Sequence, residues 1–135
     1  MMMKNEKIHI EDCGDRSECP LTCVLDLVGD KWALIIIRDM LFIGKKQFGD
    51  FLDSPEAIST NILTNRLKKL EKCGIIEKRP YQEAPVRYEY FLTDAGKELE
   101  SVIMSIAQWG AKHIEGVTIP TEEEIAEVRA QYADR

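Results

Sequence analysis

Ser59, Thr60, Asn61, Thr64 and Asn65 lie close together, with Lys68, Lys69 and Lys72 directly after them. At about 100° per residue, Asn61, Thr64, Asn65, Lys68 and Lys72 share one helix face, and Leu63, Leu67 and Leu70 share the opposite one. Ser59 and Thr60 stand at the leading end. An Asn amide can both donate to and accept from an adenine edge, and Thr can bond a base or pack on a thymine methyl. The major groove admits one helix, so a polar leading edge with an apolar back is the pattern that groove reading needs. Lys68, Lys69 and Lys72 would meet phosphate, and so would Lys78, Arg79 and Arg87, which follow in a segment of strand character. A solvated helix face beside a solvated hairpin is the plain alternative, because polar faces are common. The order helix, turn, polar helix, basic hairpin is far more specific than the face alone.

Cys19 is the second candidate. It precedes Pro20 at the start of a short helix, where free N–H groups and the helix dipole stabilise a thiolate and lower the thiol pKa. Such a thiol could react with an oxidant or electrophile; an unreactive, partly buried cysteine is the competing reading. His9, Cys13, Cys19 and Cys23 are metal-ligand types in one stretch, but they lack the paired C-x2-C spacing of a zinc site, and no metal is expected. His113 and Cys73 read as helix-surface and core residues. No catalytic set is evident. There is no Gly-rich phosphate loop, and neither histidine sits in a nucleophile or HExxH pattern. No cofactor is expected.

Charge agrees with this placement. The chain of 135 residues carries a net charge of -6, which looks wrong for a partner made of phosphates. Yet Ser59 to Arg79 holds six basic and two acidic groups, while both ends are acidic. The local surface decides phosphate contact, not the sign of the whole. The first dozen residues have no apolar signal region, and the longest aliphatic run, Ala33 to Ile37, is far too short to span a bilayer. The expected location is cytoplasmic, with no membrane partner and with the four cysteines outside any structural disulfide framework.

The elements that must hold these residues follow from periodicity. Residues 1–18 are polar and aperiodic, and read as a flexible arm. Pro20 opens a helix with Leu21, Val24, Leu25 and Val28 in one stripe, ended by Gly29. Asp30 should cap a helix over Lys31 to Phe42 that is apolar all round, hence the hub of the core. Gln47 to Leu52 reads as a short helix with Phe48, Phe51 and Leu52 inward, broken at Asp53-Ser54-Pro55. Ile58 to Cys73 is the polar-faced helix, stopped by Gly74. Arg66 falls nearer its core stripe, as a structural ion-pair partner. Ile75 to Tyr81 and Val86 to Leu92 read as strands joined by Gln82 to Pro85. Thr93 should cap one long helix with Leu99, Val102, Ile103, Ile106, Trp109, Gly110 and Ile114 as a coiled-coil-like stripe. Thr121 to Glu124 is a capping box for a last helix reaching about Tyr132.

From Cys19 to Gly110 the chain resembles the HxlR-type bacterial transcriptional regulators, near the MarR-like winged helices. The matching residues are Cys19-Pro20, Leu27-Val28-Gly29-Asp30-Lys31-Trp32, Phe48, Leu52, Ile58-Ser59, Leu63, Arg66-Leu67 and Leu70-Glu71. They continue through Gly74-Ile75-Ile76, Arg79, Tyr81, Pro85, Tyr90, Leu92-Thr93, Gly96 and Trp109-Gly110. Two departures stand out. The family usually has a second glycine where Asp30 stands, and commonly reads Pro-Gly-Ile-Ser where Glu56-Ala57 intervene here.

The resemblance implies a homodimer formed by N- and C-terminal helices, with two recognition helices entering successive major grooves of a palindrome. It also implies sensing of thiol-reactive compounds at the cysteine before the proline, here Cys19. The expected fold is mainly α with a small β-hairpin: a winged helix-turn-helix domain over residues 19–116, then a C-terminal helical segment, 117–135. The expected activity is sequence-specific binding of double-stranded DNA, as a repressor open to a reactive electrophile or small-molecule effector. The rival reading is a winged-helix adaptor that binds protein and not DNA.

Overall fold

The computed structural model describes residues 7–9, 11, 14 and 16–133. Its elements run α1 (Pro20–Val28), α2 (Ala33–Arg38), a π-helical turn (Asp39–Ile43), α3 (Phe48–Phe51), α4 (Thr60–Lys72), β1 (Ile76–Glu83), β2 (Val86–Leu92), α5 (Asp94–Lys97), α6 (Glu100–His113) and α7 (Glu122–Ala130). The architecture is mainly helical with one antiparallel hairpin, as expected.

The core forms where apolar stripes converge. Ala33, Ile36 and Ile37 of α2 meet Phe51 of α3, Ile58, Leu63, Leu67 and Leu70 of the α4 region, and Ile75 and Ile76 at the hairpin base. Burying each large aliphatic side chain is worth roughly 1.5–3 kcal/mol, so the three leucines alone fix the roll of α4 about its axis. Gly96 closes the hairpin base against α5. A Cβ there would lie 2.3 Å from the Ile75 carbonyl oxygen, so only glycine permits the approach.

Several expectations are corrected. Helix α2 starts at Ala33 rather than Lys31, although Asp30 Oδ1 caps the approach to it as expected, accepting the N–H groups of both Trp32 (2.8 Å) and Ala33 (3.0 Å). Its regular turns stop at Arg38, and a π turn carries the chain to Ile43. Nor is it apolar all round: Asp39 is buried within it, satisfied by the adjacent Arg38 and by Lys45 from the following loop. Leu52 is exposed rather than inward. The first strand runs on to Glu83, so the hairpin tip is Ala84 and Pro85, joined by a cis peptide, with a bulge between Pro80 and Gln82. The expected long helix breaks at Glu98–Leu99 into α5 and α6, with Thr93 capping the shorter piece through Gly96 N–H. The last helix ends at Ala130, followed by a turn that contains Tyr132.

The apolar stripes at the two ends also behave unlike core. On α1, Leu21, Val24 and Leu25 are exposed and only Val28 is buried. On α6 no residue is buried, and Val102, Ile106, Trp109 and the following Ile114 face outward. Cys73 is buried and disulfide-bonded, which departs from the expectation that no structural disulfide forms. Cys13 and much of the expected arm lie outside the described residues. Ile8, from that arm, packs against the core.

Candidate nucleic-acid interface

Ser59 starts the site. Its side chain accepts the N–H of Ile62 at 3.2 Å and so caps α4, while Ser59 itself keeps an extended backbone. The helix therefore begins at Thr60, two residues later than the pattern alone suggests. Leu63, Leu67 and Leu70 are at most 2% exposed. With that face pinned, Asn61, Thr64, Asn65, Lys68 and Lys72 are all exposed on the opposite side. At a rise of about 1.5 Å per residue they make a row roughly 16 Å long.

Arg66 is half-buried and ion-paired to Asp30 at 2.9 Å, as its position near the leucine stripe suggested. Burial would raise the Asp30 pKa; the Arg66 guanidinium and the two amides of α2 outweigh it and hold the carboxyl below its ordinary value. This pair ties the roll of α4 to the start of α2. Arg66 also donates through Nη1 to Asn65 Oδ1 at 2.9 Å. That bond orients the Asn65 amide, leaves its two N–H donors outward, and leaves its oxygen a second lone pair.

Lys69 leaves the cationic row. Its Nζ donates to the Asp26 carbonyl oxygen at 2.6 Å, at the C-terminal half of α1, where cations suit the helix end. Here Lys69 is a brace between α1 and α4 rather than an outward charge.

The hairpin stands beside α4. Successive residues of a strand point to opposite faces, so Lys78 and Arg79 diverge. Lys78 Nζ lies 3.8 Å from Glu71 of α4 and 4.6 Å over the Tyr88 ring. Arg79 pairs with Glu77 and stacks with its Cζ 4.4 Å over Phe91. Arg87 is exposed near the tip. The rings act as platforms that hold two of the three cations extended; such contacts are worth roughly 0.5–1 kcal/mol when exposed.

One element was not legible from the sequence. The segment at Lys46 and Gln47 pairs with the second strand: Gln47 bridges to Glu89, and Tyr90 N–H donates to the Lys46 carbonyl at 2.7 Å. Lys46 also lies 3.7 Å from Glu89. A single bridge has no alternation to betray it, yet it anchors the outer strand against the loop before α3.

Cys19 is exposed at the N-cap of α1. The backbone N–H groups of Thr22 and Leu21 and the Thr22 hydroxyl, gathered at the start of α1, favour the thiolate and hold its thiol below the ordinary range. Cys23, one turn on, is half-buried with its Sγ 3.2 Å from the Ser17 carbonyl. Among the described residues, no cluster of three or more His, Cys, Asp or Glu side chains could hold a metal. No described helix is long and apolar enough to cross a membrane.

Known proteins share this architecture. The HxlR-like helix-turn-helix family matches residues 27–118. The HTH-type transcriptional regulator YdeP of Bacillus subtilis is 37% identical over 112 residues, 82% of this chain and 87% of that one. Among solved structures, a MarR-family transcriptional regulator from Porphyromonas gingivalis W83 superposes with a TM-score of 0.63 at 31% identity, covering 73% of this chain and 95% of its own. The redox regulator HypR in its reduced form gives a TM-score of 0.63 at 31% identity, covering 71% of this chain and 94% of that one. Such relatives are transcriptional regulators rather than enzymes. With its helix-turn-helix, its two-stranded wing and the outward polar row of α4, the chain belongs to the HxlR-like helix-turn-helix family of transcriptional regulators.

Proposed function

We propose that the protein binds palindromic operator DNA as a homodimer and represses transcription, with DNA release governed by the Cys19 thiol. The observation that carries the reading is the outward row Asn61, Thr64, Asn65, Lys68 and Lys72 beside a cationic wing. Ser59 and Thr60 lead α4 into the major groove. Asn61, Thr64 and Asn65 read base edges there, while Lys68, Lys72, Lys78, Arg79 and Arg87 contact phosphate. The acidic flanks of the chain disfavour loose polyanion binding away from this surface.

The exposed stripes support the dimer. Leu21 is 66% exposed and Trp109 63%, and their neighbours Leu25, Ile106 and Ile114 are also out. A second copy would cover these faces of α1 and α6, which pack poorly as solvent surface. Cys19 sits at the start of α1. A covalent change at this thiol would therefore alter the dimer helix and with it the spacing of the two wings. The likeness to the redox regulator HypR and the lowered thiol pKa favour this placement.

Fluorescence anisotropy on duplexes selected from a random pool tests the binding. Affinity should fall steeply with salt as counterions compete, and light scattering should give a dimer. A protein–protein adaptor would show no duplex binding at any salt, and that result would displace DNA recognition in favour of the adaptor.

A further inference from the structure

The family match ends at residue 118, yet α7 and the turn after it pack back onto the domain. Arg129 Nε donates to the Phe42 carbonyl at 2.9 Å, one of the last-turn carbonyls a helix cannot bond for itself. Tyr132 is only 5% exposed. Its ring lies 5.2 Å from Lys45 Nζ, and its hydroxyl donates to Asp53 Oδ2 at 3.4 Å.

Lys45 is the entrance to a buried charged network. Its side chain is 3% exposed. The ammonium bonds Asp39 Oδ2 at 3.1 Å and Ser54 Oγ at 3.2 Å, and Ser54 donates to the same Asp39 oxygen at 2.6 Å. The other Asp39 oxygen takes two bonds from Arg38, at 2.8 and 2.9 Å. Arg38 in turn grips Glu56 with two bonds, at 2.9 and 3.0 Å. Ser54 and Glu56 both belong to the short connection that delivers the chain from α3 to the Ser59 cap of α4. Ser54 is thus held by a buried charge pair whose strength depends on exclusion of water, Glu56 is tied to that pair through the more exposed Arg38, and Tyr132 is what covers Lys45 on the side of α7.

We propose that the C-terminal segment 121–132 is a clamp that positions the DNA-reading helix, with Tyr132 as the positioning residue acting through Lys45, Asp39, Ser54, Arg38 and Glu56. This rests on α4 being the DNA-reading helix. The clamp sets the entry angle of α4, so its loss should degrade base reading more than phosphate contact.

The experiment uses the full chain. Wild type, Tyr132→Ala and Tyr132→Phe are titrated against a selected duplex and a scrambled one across a salt series, with amide hydrogen exchange on the same proteins. Tyr132→Ala should lose at least about tenfold in the ratio of selected to scrambled affinity, roughly one bidentate base contact. Its salt slope should stay that of wild type. Amides at 55–62 should exchange faster, and those at 100–113 should not change. Tyr132→Phe keeps the ring over Lys45 and should retain most of the discrimination. If Tyr132→Ala melts too low for titration, Tyr132→Gln, which keeps bulk but replaces the apolar cover with a hydrated amide, is read by the same ratio. A folded Ala or Gln variant with the wild-type ratio overturns the clamp alone. A wild type that does not discriminate between the two duplexes overturns the functional reading itself, and the clamp with it.

Discussion

Ala57 has φ 60°, and it is the only non-glycine residue with a positive φ among those described. It lies just before Ile58 and the Ser59 cap, and its N–H donates to the Ser54 carbonyl at 2.9 Å. The left-handed conformation crowds an L side chain's Cβ against the following carbonyl and costs roughly 1–2 kcal/mol. Replacing Ala57 by glycine removes that strain. It also frees the unfolded chain, which costs roughly 0.5–1 kcal/mol. The net expectation for Ala57→Gly is a gain of roughly 0.5–1 kcal/mol, or a rise in Tm of about 2–4 °C for a chain of this size. Ala57→Val should lose stability, since a β-branched side chain suits this conformation least. Urea unfolding of the three proteins at one fixed concentration measures the order, because self-association would shift the midpoint with concentration. Equal or lower stability in Ala57→Gly would mean that the turn before α4 does not hold Ala57 in a strained left-handed conformation in solution. The HxlR-type pattern commonly has glycine in this turn, so the strain is a particular of this chain.

Asn61→Ala with Asn65→Ala should flatten sequence preference, whereas Arg79→Ala should weaken all duplexes alike and reduce the salt slope by about 1; identical effects on selected and scrambled duplexes would end the division between readers and clamps. Cys19 alkylation should reach half its maximal rate at a lower pH than a free cysteine, because the α1 amides favour the thiolate. Diamide or a quinone should release wild type from DNA and leave Cys19→Ser bound; equal release would remove Cys19 from the mechanism. Asp30 and Glu56 both have lowered carboxyl pKa values. At Asp30 burial is outweighed by Arg66 and two amides; at Glu56 the bonds from Arg38 dominate. Their stabilisation is complete above the ordinary carboxylate range and is lost as pH falls through the depressed values. Urea midpoints should therefore drop in acid, and Asp30→Asn should drop less steeply than wild type.

Local periodicity determined much of this protein. Leu63, Leu67 and Leu70 recur at helical spacing, and that alone put Asn61, Thr64 and Asn65 on the outward face. Alternation in Val86 to Leu92, the Thr121 capping box and the place of Arg66 near the leucine stripe were legible for the same reason: each depends on neighbours a few residues apart, whereas the Asp30 partner of Arg66 lies far away in sequence. Tertiary contact decided the rest. Lys69 has the same charge and nearly the same position as Lys68, yet a carbonyl on α1 draws it inward. Leu21, Leu25, Ile106 and Trp109 on α1 and α6 look like core in a pattern, but nothing among the described residues covers them. Asp39 interrupts an apolar run only to be buried, because Lys45 and Ser54 arrive from beyond the helix to join the adjacent Arg38 in satisfying it. Whether a charge or an apolar side chain ends inside depends on partners distant in sequence, and a linear pattern does not contain those distances.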